Sequence, residues 1–272
     1  MINDTPLVHE FAEKGFSEEC PVYDMHGHMG TWKGIWFPRP DAEDMVYSMD
    51  RAGVRLLCFA PHASLFAPDV GNAPAIEAVR RFPDRLRAYL SVNPNYPDAV
   101  SRDLATFDSH RDIYVGLKVL AGYHNMTMGA PAYESAFAFA DERKLLVLMH
   151  TWGGSPTCGP EVVRKLAAKY PGAQLLCGHS FHGAWDDAVA LAREFPNVWL
   201  ELTAVLDNDR GAIEKFASAG LSNRMLFGTD LPWFAPHRGI GAILSADITD
   251  DDRHNILHRN AEGLLKGVEG VG

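Results

Sequence analysis

An α/β fold built on eight parallel strands is predicted by three observations. Short apolar runs recur about every thirty residues along the chain, and each is followed by a segment of helical periodicity. The turn after the first run, HGHMGTW, is not the glycine-rich phosphate turn that an open doubly wound sheet would place there. Strand and helix repeated eight times describe a (β/α)8 TIM barrel.

The strands are expected at PVYDMH (21–26), RLLCFA (55–60), LRAYLSV (86–92), YVGLKVL (114–120), LLVLMH (145–150), QLLCGH (174–179), VWLELT (198–203) and RMLFGTD (224–230). Each is short and apolar, as strands buried on both faces are. Helices are expected between them at 41–52, 74–82, 97–109, 131–143, 160–170, 184–195 and 209–219, with two more near 236–246 and 250–266. Pro83, Pro171 and Pro196 each fall after a helix and before a strand, where proline ends the one and leads into the other. Thr249 followed by Asp252 is an N-terminal capping pattern, and Ile256, Leu257, Ala261, Leu264 and Leu265 then recur at helical spacing.

With 272 residues and 47% hydrophobic content, the chain can bury one large core, so one domain over 1–272 is expected. A formal charge of -10 without a Lys/Arg cluster argues against a nucleic-acid partner. The opening MINDTPLVHEFAEKG has no basic region followed by an apolar run, and no stretch reaches the roughly 18 apolar residues of a membrane span. The protein is therefore expected to be soluble and cytoplasmic, without a membrane partner. Cys20, Cys58, Cys158 and Cys177 lie far apart and mostly in apolar runs, as reduced buried thiols do. Their spacing speaks against a thiolate zinc site.

His26 and His28 flank a glycine at the end of the first strand. Residues two apart on a strand face the same way, so the pair can grip one divalent metal. In a barrel the C-terminal strand ends converge on one face. There the fourth strand brings Lys118, the fifth His150, the sixth His179 and the eighth Asp230. Each alone reads equally as a capped or hydrogen-bonded residue. Together they can supply the three or four N/O ligands of a zinc ion and leave a position open. Asp24, Glu201 and Thr203 are placed to steady the imidazoles from behind or to form a buried hydrogen-bonded group.

The motifs DMHGH, GLK, LMH, CGH, FGTD and the terminal NILHRNAEGLL, in that order over about 20–267, resemble the amidohydrolase superfamily. Within it the chain is similar to the amidohydrolase-related branch of TIM-barrel hydrolases, which includes the aminocarboxymuconate semialdehyde decarboxylase group. The resemblance implies that His26, His28, His150 and Asp230 hold one divalent metal, usually zinc, and that His179 is the acid or base beside it. In binuclear relatives a lysine at the Lys118 position bridges a second metal, with the fifth- and sixth-strand histidines on that ion. In single-metal members it is structural or faces the substrate, and that reading is the expected one. Hydrolysis of an amide, lactone or ester-like bond in a small molecule is expected, with Asp230 moving the proton of an activated water to the leaving group. The alternative is non-oxidative decarboxylation of a small unsaturated or aromatic acid, a carboxy-lyase reaction that an arginine reaching the site would favour. A non-enzymatic metal store is the third reading.

Loops on the same face offer Trp32, Trp36, His62, Tyr123, His124, Trp152, Trp233 and Arg238 for a small planar or cyclic substrate, with Arg238, Arg39 or His62 available to a carboxylate. His9, His110, His182, His254 and His258 read as surface or capping residues. A homodimer is expected by analogy with other barrels.

Overall fold

The computed structural model describes residues 4–208 and 211–268. Its sheet has eight strands in the order of the sequence, each parallel to the next. They are β1 (Val22–Met29), β2 (Val54–Pro61), β3 (Leu86–Ser91), β4 (Tyr114–Val119), β5 (Leu146–Trp152), β6 (Gln174–His182), β7 (Val198–Glu201) and β8 (Met225–Leu226). Every expected strand is present, and the TIM barrel is the fold. Met25, Phe59, Tyr89, Leu117, Leu148 and Leu176 are fully enclosed, and the Tyr89 hydroxyl donates to the Met25 carbonyl at 3.0 Å.

The helices are α1 (Pro6–Lys14), α2 (Ala42–Ala52), α3 (Pro68–Arg81), α4 (Pro97–Thr106), α5 (Glu134–Arg143), α6 (Pro160–Lys169), α7 (Trp185–Glu194), α8 (Val205–Asn208), α9 (Ala212–Ser218), α10 (Pro236–Ser245), α11 (Asp250–His254) and α12 (Asn260–Gly267). Most bury one stripe, as α2 does with Ala42, Met45, Met49 and Ala52 at three- and four-residue spacing. Helix α1 was not expected. Its signals are the Thr5 cap, Pro6 in the first turn and Gly15 at a φ of 80° beyond the last residue. Helix α3 starts at Pro68 rather than near 74, because Pro68 takes the first-turn position and Pro74 is carried inside the helix. The capping box of Thr249 and Asp252 is formed as expected. The long helix that follows is not continuous: a π turn at Asn255–Arg259 separates α11 from α12. Residues 209 and 210 of the helix expected at 209–219 lie outside the described residues; the described part runs from Ala212.

β8 is much shorter than the expected 224–230. Past Leu226 the chain still runs beside β1, with hydrogen bonds Met25 N to Phe227 O (2.9 Å), Asp230 N to His26 O (2.7 Å) and His28 N to Leu231 O (2.6 Å). The barrel closes through this irregular segment because Asp230 adopts a left-handed φ of 61°, which no regular ladder accommodates. Asp24 pins the closure. Its buried carboxylate accepts from the Thr229 backbone at 3.1 Å, from the Thr229 hydroxyl, and from the His26 backbone at 3.1 Å. Replacing it leaves three buried donors without an acceptor, at a cost of about 3 kcal/mol. The variant Asp24→Ala is therefore expected to melt roughly 6–12 °C below the parent by circular dichroism. Melting within a degree of the parent would show that Asp24 does not hold the seam.

Candidate active site

A cavity of about 360 Å³ opens where the C-terminal strand ends meet. Its floor is polar: His26 and His28 from β1, Lys118 from β4, His150 from β5, His179 from β6 and Asp230 after β8. The walls are apolar and aromatic, with Trp32, Leu65, Leu120, Tyr123, Trp152, Trp233 and Phe234.

The hydrogen bonds fix the imidazole orientations. His26 Nδ1 lies 2.8 Å from Glu201 Oε2, and His28 Nδ1 lies 3.0 Å from the Ala60 carbonyl. Each Nδ1 faces an acceptor and so carries the hydrogen, which leaves the Nε2 lone pairs free. Those two Nε2 atoms lie 3.4 and 3.0 Å from Asp230 Oδ1, and the three ligand atoms fall within 4.8 Å of one another. Three potential ligand atoms thus converge, and Lys118 sends a hydrogen to one of them, His26 Nε2. The donor set fits a divalent metal, with two imidazole nitrogens and one carboxylate oxygen. His150 lines the same cavity but is not part of this tight cluster. Its ring packs 4.5 Å from that of His179 and lies parallel to that of Trp152.

Lys118 is fully buried and donates to His26 Nε2 at 2.8 Å. Burial lowers its pKa to about 8, with the Asp230 and Glu201 charges opposing. His179 Nδ1 donates to the Thr203 carbonyl at 3.3 Å, which leaves its Nε2 as an acceptor, and burial lowers its pKa to about 3. Burial also drives His26 and His150 well below the ordinary imidazole range. At Asp230 burial pushes the pKa up, but the neighbouring His26, His28 and His179 outweigh it and hold the carboxyl well below the ordinary carboxylate range. At neutral pH the His26, His150 and His179 imidazoles are therefore neutral, beside the Asp230 carboxylate and the Lys118 amine.

His62 closes one side. It stacks on His28 at 4.7 Å, its Nδ1 donates to the Gly30 carbonyl at 2.7 Å, and its Nε2 accepts from Trp233 Nε1 at 2.9 Å. Phe37 stacks on the same ring at 5.6 Å. Phe37 and the lining residues Leu65, Leu120, Ala204 and Phe234 were not expected, because nothing in the sequence marks which apolar residues turn toward a cavity.

Of the expected substrate residues, Trp32, His62, Trp152 and Trp233 line the cavity, as does Tyr123. His124 does not. It is buried between the Tyr133 hydroxyl and the Leu65 carbonyl, 2.8 Å from its Nε2, and braces two loops. Arg238 lies on α10 and outside the lining, and Trp36 is 79% exposed. Arg39 sits 4.4 Å over the Tyr47 ring and pairs with Asp44, also away from the cavity.

An eight-stranded barrel with a histidine and carboxylate centre at its C-terminal mouth defines a metal-dependent barrel enzyme as a class. A family model described as Amidohydrolase matches residues 23–267, and the chain belongs to that family. No curated protein matches it. Among solved structures it is similar to the uncharacterized TIM-barrel protein Bb4693 from Bordetella bronchiseptica (18% identity, TM-score 0.76, covering 91% of this chain and 99% of that one). It is also similar to 5-carboxyvanillate decarboxylase from Novosphingobium aromaticivorans complexed with manganese and 4-hydroxy-3-methoxy-5-nitrobenzoic acid (13% identity, TM-score 0.72, 92% and 97%). A third is 2,6-dihydroxybenzoate decarboxylase from Rhizobium (16% identity, TM-score 0.69, 90% and 98%). At these identities the likeness is one of fold.

Glu201 orients His26 from behind, and such partners are worth roughly 10–100-fold in metal affinity. The variant Glu201→Gln is expected to bind Zn2+ or Mn2+ more weakly by about that factor in a chelator-competition titration. Unchanged affinity would remove Glu201 from the metal's support.

Proposed function

We propose that this protein is a metal-dependent, non-oxidative decarboxylase of a small aromatic or unsaturated carboxylic acid. One observation carries the reading: the cavity joins aromatic walls to a floor where Lys118 lies beside three residues that would hold a divalent ion. Such a pocket takes a planar ring between Trp32, Tyr123 and Trp233 and directs its carboxylate to the floor. The activities of the two decarboxylases of similar fold favour the same reading. His26, His28 and Asp230 hold the ion, with His150 the nearby fourth candidate. Zinc suits this ligand set, and manganese is the ion of one similar structure. When bound, the metal supplies a fixed positive charge that orients an anionic substrate and stabilises charge on its oxygens.

The chain's own groups set the proton path. Decarboxylation breaks the bond between ring carbon and carboxylate, and the carbon that loses CO2 must gain a proton. Neither His179 nor Asp230 carries a spare proton at neutral pH, so each acts first as an acceptor. A phenolic acid brings its own proton. Its hydroxyl hydrogen passes to His179 or Asp230 and from there to the ring carbon, CO2 departs, and solvent restores the hydroxyl hydrogen. Trp32, Trp233 and His62 meet edge to face and form one continuous aromatic side of the cavity.

Hydrolysis of a lactone or amide is the second reading, favoured by one specific observation: among the described residues no arginine lines the cavity to hold a carboxylate. In that reaction His179 accepts the proton of the attacking water. The test is a panel of hydroxybenzoates and small lactones with zinc- or manganese-loaded protein, followed by CO2 release and by ring opening. CO2 release that chelation abolishes supports the first reading; ring opening without CO2 release replaces it by the second. In the active assay His179→Gln is expected to lower kcat by about 10²–10⁴ with metal content kept, measured by elemental analysis. An unimpaired His179→Gln would show that the proton moves elsewhere.

A further inference from the structure

A second cluster of metal-competent side chains lies at the other end of the barrel. Cys20 sits just before β1, His254 ends α11, and His258 lies in the π turn that follows. The Cys20 thiol and one ring nitrogen from each histidine fall within 4.8 Å of one another. At about 3.3 Å per strand residue, the eight steps from Cys20 to His28 span roughly 25 Å, so this cluster shares nothing with the cavity.

The three side chains are close enough to share one ion, and without it the two histidines hydrogen-bond to each other. His254 Nδ1 and His258 Nε2 lie 2.9 Å apart, with the two rings edge to face. Behind His258, its Nδ1 lies 3.2 Å from Glu262 Oε1. The carboxylate takes the Nδ1 hydrogen and turns the Nε2 lone pair toward Cys20 and His254, the arrangement in which histidines ligate metals. The π turn places the two histidines, and such turns recur where a helix carries function. Cys20 is fully buried and His254 partly open, so a solvent molecule can complete the shell. Asp250 and Asp251 add negative charge nearby, although Arg253 and Arg259 pair with them. Two imidazoles and a thiolate form a borderline-soft set, which selects zinc over magnesium or calcium.

We propose that Cys20, His254 and His258 form a zinc-type site, separate from the active centre, that clasps the segment before β1 to the C-terminal helix. The thiol yields its proton to solvent on binding, and metal bound only by the folded chain stabilises it. Sequence spacing spoke against a thiolate site because it weighed only the cysteines against one another. The barrel, not a CxxC, brings this thiol to its partners.

Cobalt is the probe. A thiolate gives bound Co2+ an intense sulfur-to-metal charge-transfer band, and no cavity residue is a thiol, so the band reports this cluster alone. The metal-free full-length chain titrated with Co2+ is expected to show the band and to bind about two equivalents in all, one at each site. His28→Ala should lose the cavity equivalent and keep the band. Cys20→Ser and His258→Ala should lose the band and one equivalent while the cavity equivalent stays. Zinc should raise the melting temperature of His28→Ala but not that of the double variant His28→Ala with His258→Ala. No band in the parent at cobalt concentrations that fill the cavity overturns the proposal. So does a band that survives in His258→Ala or in Cys20→Ser. If Cys20→Ser does not fold, His254→Ala and His258→Ala decide by the same criterion. These outcomes do not depend on the reaction at the cavity.

Discussion

A carboxyl without access to water, Glu201, is the constraint around which the candidate site is arranged. Its Oε1 accepts from the Thr203 backbone at 2.8 Å and from the Thr203 hydroxyl at 2.6 Å, and its Oε2 accepts from His26 Nδ1 and, at 3.4 Å, from the His179 backbone. Burial pushes its pKa up to about 7 even so. A buried carboxylate is tolerable only when fully hydrogen-bonded and near positive charge. The strands on either side are shaped to let it in. A Cβ at Gly228 would stand 1.9 Å from Glu201 Oε1, and one at Gly178 would stand 2.7 Å from the Met149 carbonyl and 3.2 Å from His26 Cε1. The glycines of the FGTD and CGH motifs are thus packing requirements of one ion, and the histidine and aspartate beside them inherit their positions from it.

The second consequence is local strain. His179, Ser180 and Phe181 have φ values of 68°, 45° and 58°, and Ala204 and Asp230 are also left-handed. Residues held so cost on the order of 1–3 kcal/mol each and persist only where their surroundings over-determine them. Here the surroundings are visible. Ser180 Oγ donates to the Glu201 carbonyl at 2.8 Å, Phe181 N donates to Thr151 Oγ1 at 3.1 Å, and Thr151 donates to the Gly178 carbonyl at 2.7 Å. The twist aims His179 into the cavity from a strand whose regular continuation would not.

The strands were legible because burial on both faces writes itself as an apolar run, and the site was legible because barrel topology makes every strand end a neighbour of every other. His26, His28, Lys118, His150, His179 and Asp230 needed no loop geometry to be found. Loop residues did. His124 and Trp233 look alike in sequence, yet one is locked to the Leu65 carbonyl and the other donates to His62 at the cavity. Nothing local distinguishes them, because the difference lies in which loop each meets. The short β8 was hidden for a similar reason: the left-handed turn at Asp230 serves the site and overrides an apolar run that reads as strand. Cys20 and His254 belong to opposite ends of the chain and meet only after the barrel has closed.

Charge decides what this cavity can do. Several groups facing its centre are placed as acceptors: the Nε2 atoms of His26, His28 and His179, whose Nδ1 atoms each face an acceptor, and an Asp230 carboxyl held below the ordinary carboxylate range. Lys118 gives a hydrogen to His26, and burial has brought its pKa to about 8. The floor thus pairs acceptors with one lysine whose lowered pKa lets it hold a proton at neutral pH and release it readily. A cavity that sets the flat faces of Trp32, Tyr123 and Trp233 beside such a floor offers stacking surface at one end and charged hydrogen-bonding groups at the other.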